Sequence, residues 1–448
     1  MSTTTQNKTD DLAGFLSDIG LFNSGPGDRG PVWVKDARAI GLQTFENLGF
    51  PTSREEEWRY TNVGPIAKGG YAAAPYPTRI SKSDVEPFIY LTKDWTTLVF
   101  VDGLLAPAAS SMPMVDGADI MSLADCIPAA SDLVQEHLGK HVRAGFSVFT
   151  ALNAAYLRDG AYIYVRPHVV VEKPIHLLYV ASGDGQSASY LRNLILLGDH
   201  AEATIIESFV SLQDGDYLTS TVTELAVGEG AKVDYYRIQQ ESKQAKHVSV
   251  VGVTQERESY FTSTTVNLGG ELVRNDLNIV LNGERAECMM NGLSIVDGNR
   301  HVDNHTALDH AAPRCESQEL YKAIVDDHAR SVFNGKIYVR PNAQKTDAKQ
   351  TNRNLLMSKD ATVNTKPQLE IFANDVKCTH GATVGQLDDS QMFYLRSRGL
   401  SEDVASQLLT YGFANDIIEK VRPEPLRRYL HKKQVEALNT SADITELA

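Results

Sequence analysis

Residues 192–239 read RNLILLGDHAEATIIESFVSLQDGDYLTSTVTELAVGEGAKVDYYRIQ. The runs RNLILLG, ATIIESFVS and KVDYYRIQ are short, rich in Ile, Val and Tyr, and bounded by turn-forming residues. β-Branched and aromatic side chains suit a pleated surface, so each run predicts a strand. Two of the turns share a pattern, Gly198-Asp199-His200-Ala201 and Gly228-Glu229-Gly230-Ala231. It returns at Gly283-Glu284-Arg285-Ala286 and, degenerately, at Lys359-Asp360-Ala361, with irregular spacing. A stack of rungs, each unable to bury its apolar face alone but sealed by the next, generates such recurrent turns.

The same texture extends outward from Trp95 to Leu387 through TLVFVDG, AYIYVRPHVVV, IHLLYVAS, HVSVVGVT, LNIVLNG, SIVDG, KIYVRP and LEIFAND. No long amphipathic helices separate these runs, which argues against βαβ units and favours a parallel β-helix over a sandwich. Three parts are expected: a helical and irregular segment over 1–95, the β-helix over 96–387, and a helical segment over 388–448.

In the first part, residues 1–10 are polar and are expected to be without structure. Val34, Ala37, Ile40 and Phe45 recur at helical intervals between Val32 and Leu48, and Ser53 before Glu55-Glu56-Glu57 reads as a helix cap. Trp58 and Tyr60 are expected core anchors, and the Gly and Pro punctuation from Gly69 to Pro77 reads as a loop. In the last part Ser401 caps a helix with Glu402 and Asp403 in its first turn and with Val404, Leu408, Tyr411 and Gly412 on one face. Pro423 and Pro425 interrupt it, and a second helix with a basic outer face is expected from Leu426 to Leu438.

At 448 residues the chain exceeds one compact core, so a solenoid or about two to three domains is expected. Its 42% hydrophobic and 22% charged content is that of an ordinary globular protein. No apolar run approaches the roughly 18 residues of a membrane span. The opening MSTTTQNKTDDLAGF has neither a secretory nor a transit layout. A net charge of −14 opposes binding to nucleic acid and leaves other proteins as the natural partners. The 4 cysteines, Cys126, Cys288, Cys315 and Cys378, are scattered and form no C-x-x-C, which suits a reducing compartment. A cytoplasmic protein with no membrane or nucleic-acid partner is expected.

Chemistry concentrates at Cys378-Thr379-His380. In an extended strand alternate side chains share a face, so Cys378 and His380 project together as two potential metal ligands. Zinc sites and iron–sulfur clusters usually take four protein ligands, so this pair is at most half a site. By the same alternation His301, Asp303 and His305 share a face and are a second candidate for iron or zinc, weighed against a hydrogen-bonded ladder. His310 lies near them, and Cys315 reads as a buried thiol. There is no phosphate loop, dinucleotide fingerprint or nucleophile elbow. A polysaccharide-cleaving β-helix needs clustered carboxylates, and Asp326-Asp327 is the nearest approach to them. Residue chemistry alone leaves three readings open: assembly scaffold, β-helix lyase or hydrolase, and stand-alone metal-binding protein.

The stretch from Phe333 to Ala405, with the run AKQTNRNLL over 348–356 and the string FYLRSRGL over 393–400, resembles the shared core of the SufB/SufD family of SUF iron–sulfur assembly proteins. HVDNHTALDHAAPRCESQELYKAI before it is similar to the same core, and SREEEWRYTNV over 53–63 resembles the family's N-terminal region more loosely. The Cys-x-His-Gly-Ala-Thr form at Cys378 and the EEEWRYTN string look like the SufD branch. The resemblance implies a right-handed parallel β-helix flanked by helical segments, in a non-catalytic subunit that works with SufB and the ATPase SufC. It implies that His380, and with less support from the family Cys378, meet a nascent iron–sulfur cluster shared with SufB. It places SufC docking on the helix carrying Val404, Leu408, Leu409, Tyr411 and Phe413. Self-association of the isolated chain stays an open alternative.

Overall fold

A computed structural model of the chain describes residues 2–25, 30–76, 78–90, 92, 94–129, 132–183 and 185–438. Expectations for Met1, Pro77 and 439–448 lie outside the described residues.

From Ile175 onward the chain lays strands alternately into two parallel sheets, so strands consecutive in sequence belong to different sheets. The first sheet stacks Ser187–Leu197, Leu218–Val227, Lys246–Gln255, Leu272–Leu281, His301–His310, Arg330–Val339 and Thr362–Ile371 in that order. The second stacks Ile175–Ala181, Glu202–Ser211, Lys232–Gln240, Tyr260–Asn267, Glu287–Val296, Glu316–Val325, Asp347–Leu356 and Lys377–Gly385. This is the parallel β-helix expected from the short apolar runs. At its start the stack is closed by antiparallel pieces, Ala118–Ser122 on Ala161–Val165 and Leu104–Leu105 on Thr96–Val101. At its far end Thr362–Ile371 and Lys377–Gly385 each have a sheet neighbour on one side only.

The recurrent turns form one column. His200, Glu258, Arg285, Arg314 and Lys345 have positive φ, as does Gly230. The N–H of His200 donates to Glu229 O at 2.7 Å, that of Gly230 to Arg257 O at 2.8 Å, and that of Glu258 to Glu284 O at 2.9 Å. Each turn thus hangs from the next. A Cβ on Gly230 would lie 2.4 Å from His200 Nδ1, so glycine both adopts the left-handed conformation and leaves room for the ring. Lys359-Asp360-Ala361 belongs to the opposite column, between Asp347–Leu356 and Thr362–Ile371.

Helices cover both outer faces. Phe15, Phe45, Trp58, Phe149 and Leu152 pack on Tyr190, Leu218, Val248 and Leu272 of the first sheet. Ala414, Ile417, Ile418, Leu426 and Leu430 pack on Ile206, Tyr236, Ile238, Leu293 and Ile324 of the second. Sheets buried on both faces read as continuous apolar runs, which is why the strands stood out. Between the sheets, Ile195, Leu225, Val251, Ile279 and Ile337 meet Ile205, Phe209, Tyr235 and Phe261.

Several local expectations are corrected. Ser2–Asn23 is a helix rather than an unstructured lead. Ser53 caps nothing: a single 3-10 turn spans Glu56–Trp58, with Glu55 at its cap position. Trp58 is buried as expected, but Tyr60 is 42% exposed, and Ile40 on the helix Val32–Leu48 is exposed too. The loop from Gly69 holds a short strand, Ala72–Ala73, paired with Ser187–Leu197. A wholly buried helix, Val148–Ala155, interrupts the stretch expected to be strands. Its close approach to Val32–Leu48 needs Gly41, whose Cβ would lie 2.6 Å from Ala155 N. Among the described residues no helix is long and apolar enough to cross a membrane.

A polar seam runs inside the apolar core. Buried Glu207 accepts from Asn193 Nδ2 at 3.1 Å, Thr223 Oγ1 at 2.8 Å and Arg237 Nε at 3.2 Å. Arg237 Nη1 reaches Ser249 Oγ at 2.9 Å, which donates to Asn275 Oδ1 at 2.8 Å. Asn275 Nδ2 continues to Asn267 and Asn304, both at 3.0 Å. Arg237→Met leaves Glu207 buried without its cation and is expected to cost about 3–5 kcal/mol, read by urea unfolding. An unchanged midpoint would mean that the seam is solvated.

Candidate functional site

The last strand, Lys377–Gly385, places the Cys-x-His pair at the open end of the β-helix. Registers carry two inward columns to it: Cys288, Ser317, Ala348 and Cys378 form one, and Met290, Glu319, Gln350 and His380 the other. Cys378 is partly buried and packs against the interior cluster that contains Cys288 and Ala348. His380 is exposed at the rim. The two side chains alternate with Thr379 and so lie on one face of the strand. Burial, with the Asp347 carboxylate adding to it, pushes the Cys378 thiol above its ordinary value. It is therefore protonated at neutral pH, unlike an activated nucleophile, and would lose its proton on meeting a metal.

Nothing near this pair among the described residues completes a coordination sphere. Among the described residues no group of three or more His, Cys, Asp or Glu side chains is placed to hold a metal ion. Cys126, Cys288 and Cys315 are buried and free. Cys315 is the buried thiol expected, its Sγ 3.2 Å from Gly283 O. The donor set is soft sulfur plus imidazole, which suits iron, and it sits on a strand edge with Ile371, Phe372 and Val384 exposed around it. An apolar, unpaired rim of that kind is a surface another chain can cover.

His301, Asp303 and His305 do share a face, the outer one of the first sheet, but the N-terminal segment occupies them. Thr61 Oγ1 donates to Asp303 Oδ2 at 2.5 Å and lies 2.9 Å from His301 Nε2. His305 stands between Asp303 at 3.0 Å and Glu57 at 3.3 Å. Arg274 binds Asp303 at 2.7 Å and Asp276 at 2.8 Å beneath the Trp58 ring. The cluster is a latch between the EEEWRYTN string and the β-helix, beside a cavity of about 460 Å³. His310 points inward to Ser317 Oγ at 3.0 Å, and burial lowers its pKa to about 4. Asp326 and Asp327 form a turn in which the Asp327 N–H donates to the Asp326 carboxylate.

In the C-terminal part Ser401 caps the helix Glu402–Ile418 through the Val404 N–H, as expected. Val404, Leu408 and Leu409 are partly exposed, whereas Tyr411 is buried and its carbonyl accepts from Gln434 Nε2 at 2.7 Å. Phe413 is turned to Lys322, whose Nζ lies 4.5 Å above its ring. Sequence reasoning missed the helix Asp389–Ser397, capped by Asp388, on which Phe393 is 75% and Tyr394 57% exposed. A cleft of about 700 Å³ lies between it and the next helix, lined by Met392, Phe393, Arg396, Leu400 and Glu402. The signal was the unusual FYLRSRGL string with two adjacent aromatics.

Residues 179–413 match the family model described as SUF system FeS cluster assembly, SufBD core domain, and residues 30–177 match the SufBD protein N-terminal region. The chain belongs to the SufBD family of the SUF iron–sulfur cluster assembly system. It is 34% identical over 390 residues to the iron–sulfur cluster assembly protein SufD of Escherichia coli, covering 86% of this chain and 89% of that one. A SufBD family protein of Synechocystis is 32% identical over 385 residues, 84% of each chain. SufD of Bacillus subtilis is 28% identical over 414 residues, 89% of this chain and 93% of its own. The family and branch read from FYLRSRGL and the Cys-x-His form are borne out.

The latch carries a pH signature. Burial opposes charge on His305, but the Asp303 carboxylate, with help from Glu57, overrides it and lifts the ring to about 9 from 6.5. A raised folded-state pKa stabilises fully below about pH 6.5 and is lost as pH climbs through 9. Urea unfolding should therefore lose about 2–3 kcal/mol across that window, and His305→Gln should flatten the loss. Equal slopes in both proteins would show that the ring is neutral in the folded chain.

Proposed function

We infer that this chain is a non-catalytic scaffold subunit of a SUF assembly complex, which helps to build a nascent iron–sulfur cluster where its open rung meets SufB and which supports iron acquisition. The carrying observation is the half-site: one thiol and one imidazole on the inward face of a strand edge, with no third ligand placed near them among the described residues. The cluster is cargo, held briefly and shared with the partner, and the missing ligands are the partner's. The SufD branch of the family supports the choice of SufB and of the ATPase SufC as the partners.

SufC docks on the helix Glu402–Ile418 through Val404, Leu408 and Leu409, with Met392 and Phe393 of the preceding helix walling the cleft. Phe413 holds that helix to the β-helix through Lys322, Tyr411 ties it to the helix Glu424–Ala437, and both transmit what SufC does. ATP-driven closure of two SufC copies would pull the helical ends and shift the SufB contact, so that buried ligands meet iron and sulfide. The chain itself hydrolyses no ATP on this reading, since it has no phosphate loop. We place it in the cytoplasm, where its free thiols stay reduced. The three-part division, with the last part serving SufC, belongs to this reading.

His380→Ala in the complex co-expressed with both partners should lower cluster content by roughly tenfold while the subunits still co-purify. Undiminished cluster removes His380 from the site. Leu408→Asp should abolish SufC co-purification with unchanged helical circular dichroism, and retained SufC would move docking off this helix. The purified chain alone should hold no stoichiometric iron, and gel filtration will read whether it self-associates.

A further inference from the structure

The column that ends at His380 contains a polar pair that an apolar core does not need. Gln350 is 1% exposed and Glu319 4% exposed, one and two rungs back from His380 along the same inward positions. Gln350 Nε2 donates to Glu319 Oε2 at 2.7 Å. While Glu319 is ionised that bond decides which end of the amide is committed, because a carboxylate oxygen takes the N–H₂ side. Gln350 Oε1 is buried and has no partner. Its neighbour along the column on the side away from Glu319 is His380.

The position is built rather than tolerated. Opposite Gln350 the first sheet has Gly335, and a Cβ there would lie 2.3 Å from Gln350 Nε2. The glycine leaves the space that the amide fills. Gln350 is the hydrogen-bond donor that favours the charged form of Glu319, whose Oε1 has no partner; Tyr321 and Cys288 also feel its charge, yet no cation acts on it. Burial accordingly pushes its carboxyl up to about 7. A buried carboxyl without a cation is costly, and an unsatisfied amide carbonyl adds to the cost.

We propose that Gln350 is a positioning residue for His380: its side-chain carbonyl, oriented by Glu319, accepts the imidazole N–H that faces away from the metal once the partner covers the rung. A metal-bound histidine usually donates its second ring N–H to an acceptor, which fixes the tautomer and raises the ligand's basicity. Gln350 is the buried acceptor in register with the ring. This assignment rests on His380 acting as a ligand.

The experiment uses the complex co-expressed with both partners and reads cluster content and cluster midpoint potential. Gln350→Leu removes the acceptor, Gly335→Ala crowds the amide and the neighbouring Phe333 ring without removing the acceptor, and Gln350→Glu restores an acceptor with charge. Leu and Ala variants should lose cluster content by about tenfold and raise the potential of what remains, while the Glu variant should recover content and lower the potential. Co-purification of the subunits and thermal unfolding separate loss of the site from loss of folding; if Gln350→Leu does not assemble, Gly335→Ala decides. Native content and potential in the Leu and Ala variants overturn the proposal, as does a Glu variant no better than Leu. Intact cluster in His380→Ala would instead remove the ligand reading beneath it, so the two failures are told apart.

Discussion

Everything in this molecule depends on parallel strands stacked in register, rung upon rung, with one rung that has no successor. Stacked strands lie about 4.8 Å apart, so residues roughly one rung apart in sequence become lateral neighbours and their side chains form columns. Cys288, Ser317, Ala348 and Cys378 are adjacent for that reason alone. Each rung is sealed by the next, but Thr362–Ile371 and Lys377–Gly385 are sealed from one side, and their outer strand edges remain open. The start of the stack, with its antiparallel caps, shows that the chain closes an end where closure is wanted.

The helical layers follow from the same constraint. Two sheets packed face to face bury their inner faces, and covering the outer faces as well leaves polar residues few places to go. Some were kept inside, where Glu207 and Arg237 meet at 3.2 Å. Such a buried pair adds little net stability over apolar replacements, while removal of one partner is expensive. Its value lies in register. A strand slipped by one residue would turn Glu207 outward and strand Arg237, so the seam penalises every register but one.

How much of this could be read in the chain varies with how strongly local chemistry announced itself. Apolar runs such as RNLILLG and ATIIESFVS showed the β-helix, because burial on both faces leaves a continuous hydrophobic signal. Leu218–Val227, Tyr260–Asn267 and Asp347–Leu356 did not, being rich in Thr, Ser, Asn and Lys; they are strands because their neighbours are, and their inward side chains join the polar interior. The alternation of His301, Asp303 and His305 was legible, yet their use was not, since Thr61 and Glu57 lie far away in sequence. The Cys378 and His380 pair was visible from spacing, whereas its position at the end of a column through Gln350 and Glu319 needed the registers. Helix Val148–Ala155, VFTALNAA, is buried along its whole length, and a mostly apolar run of 8 residues does not tell a buried helix from a buried strand.

On the proposed reading, an incomplete ligand pair at an open end has a physical logic. A full set of four ligands on one chain would bind metal whenever metal was present, and release would then work against all four bonds. Dividing the set between two chains makes affinity depend on the geometry of their contact, so a displacement of the contact by a fraction of a bond length changes the number of ligands engaged. The terminal rung is suited to this because it is stiff along the column, where backbone hydrogen bonds and packing hold it, and unsatisfied across its outer edge. The helices Asp389–Ser397 and Glu402–Ile418 follow that rung closely in sequence, and the second of them rests on the second sheet. Force applied to them therefore reaches Lys377–Gly385 through a short length of chain, and a protein that gripped the cleft between them would be pulling on the strand that carries Cys378 and His380.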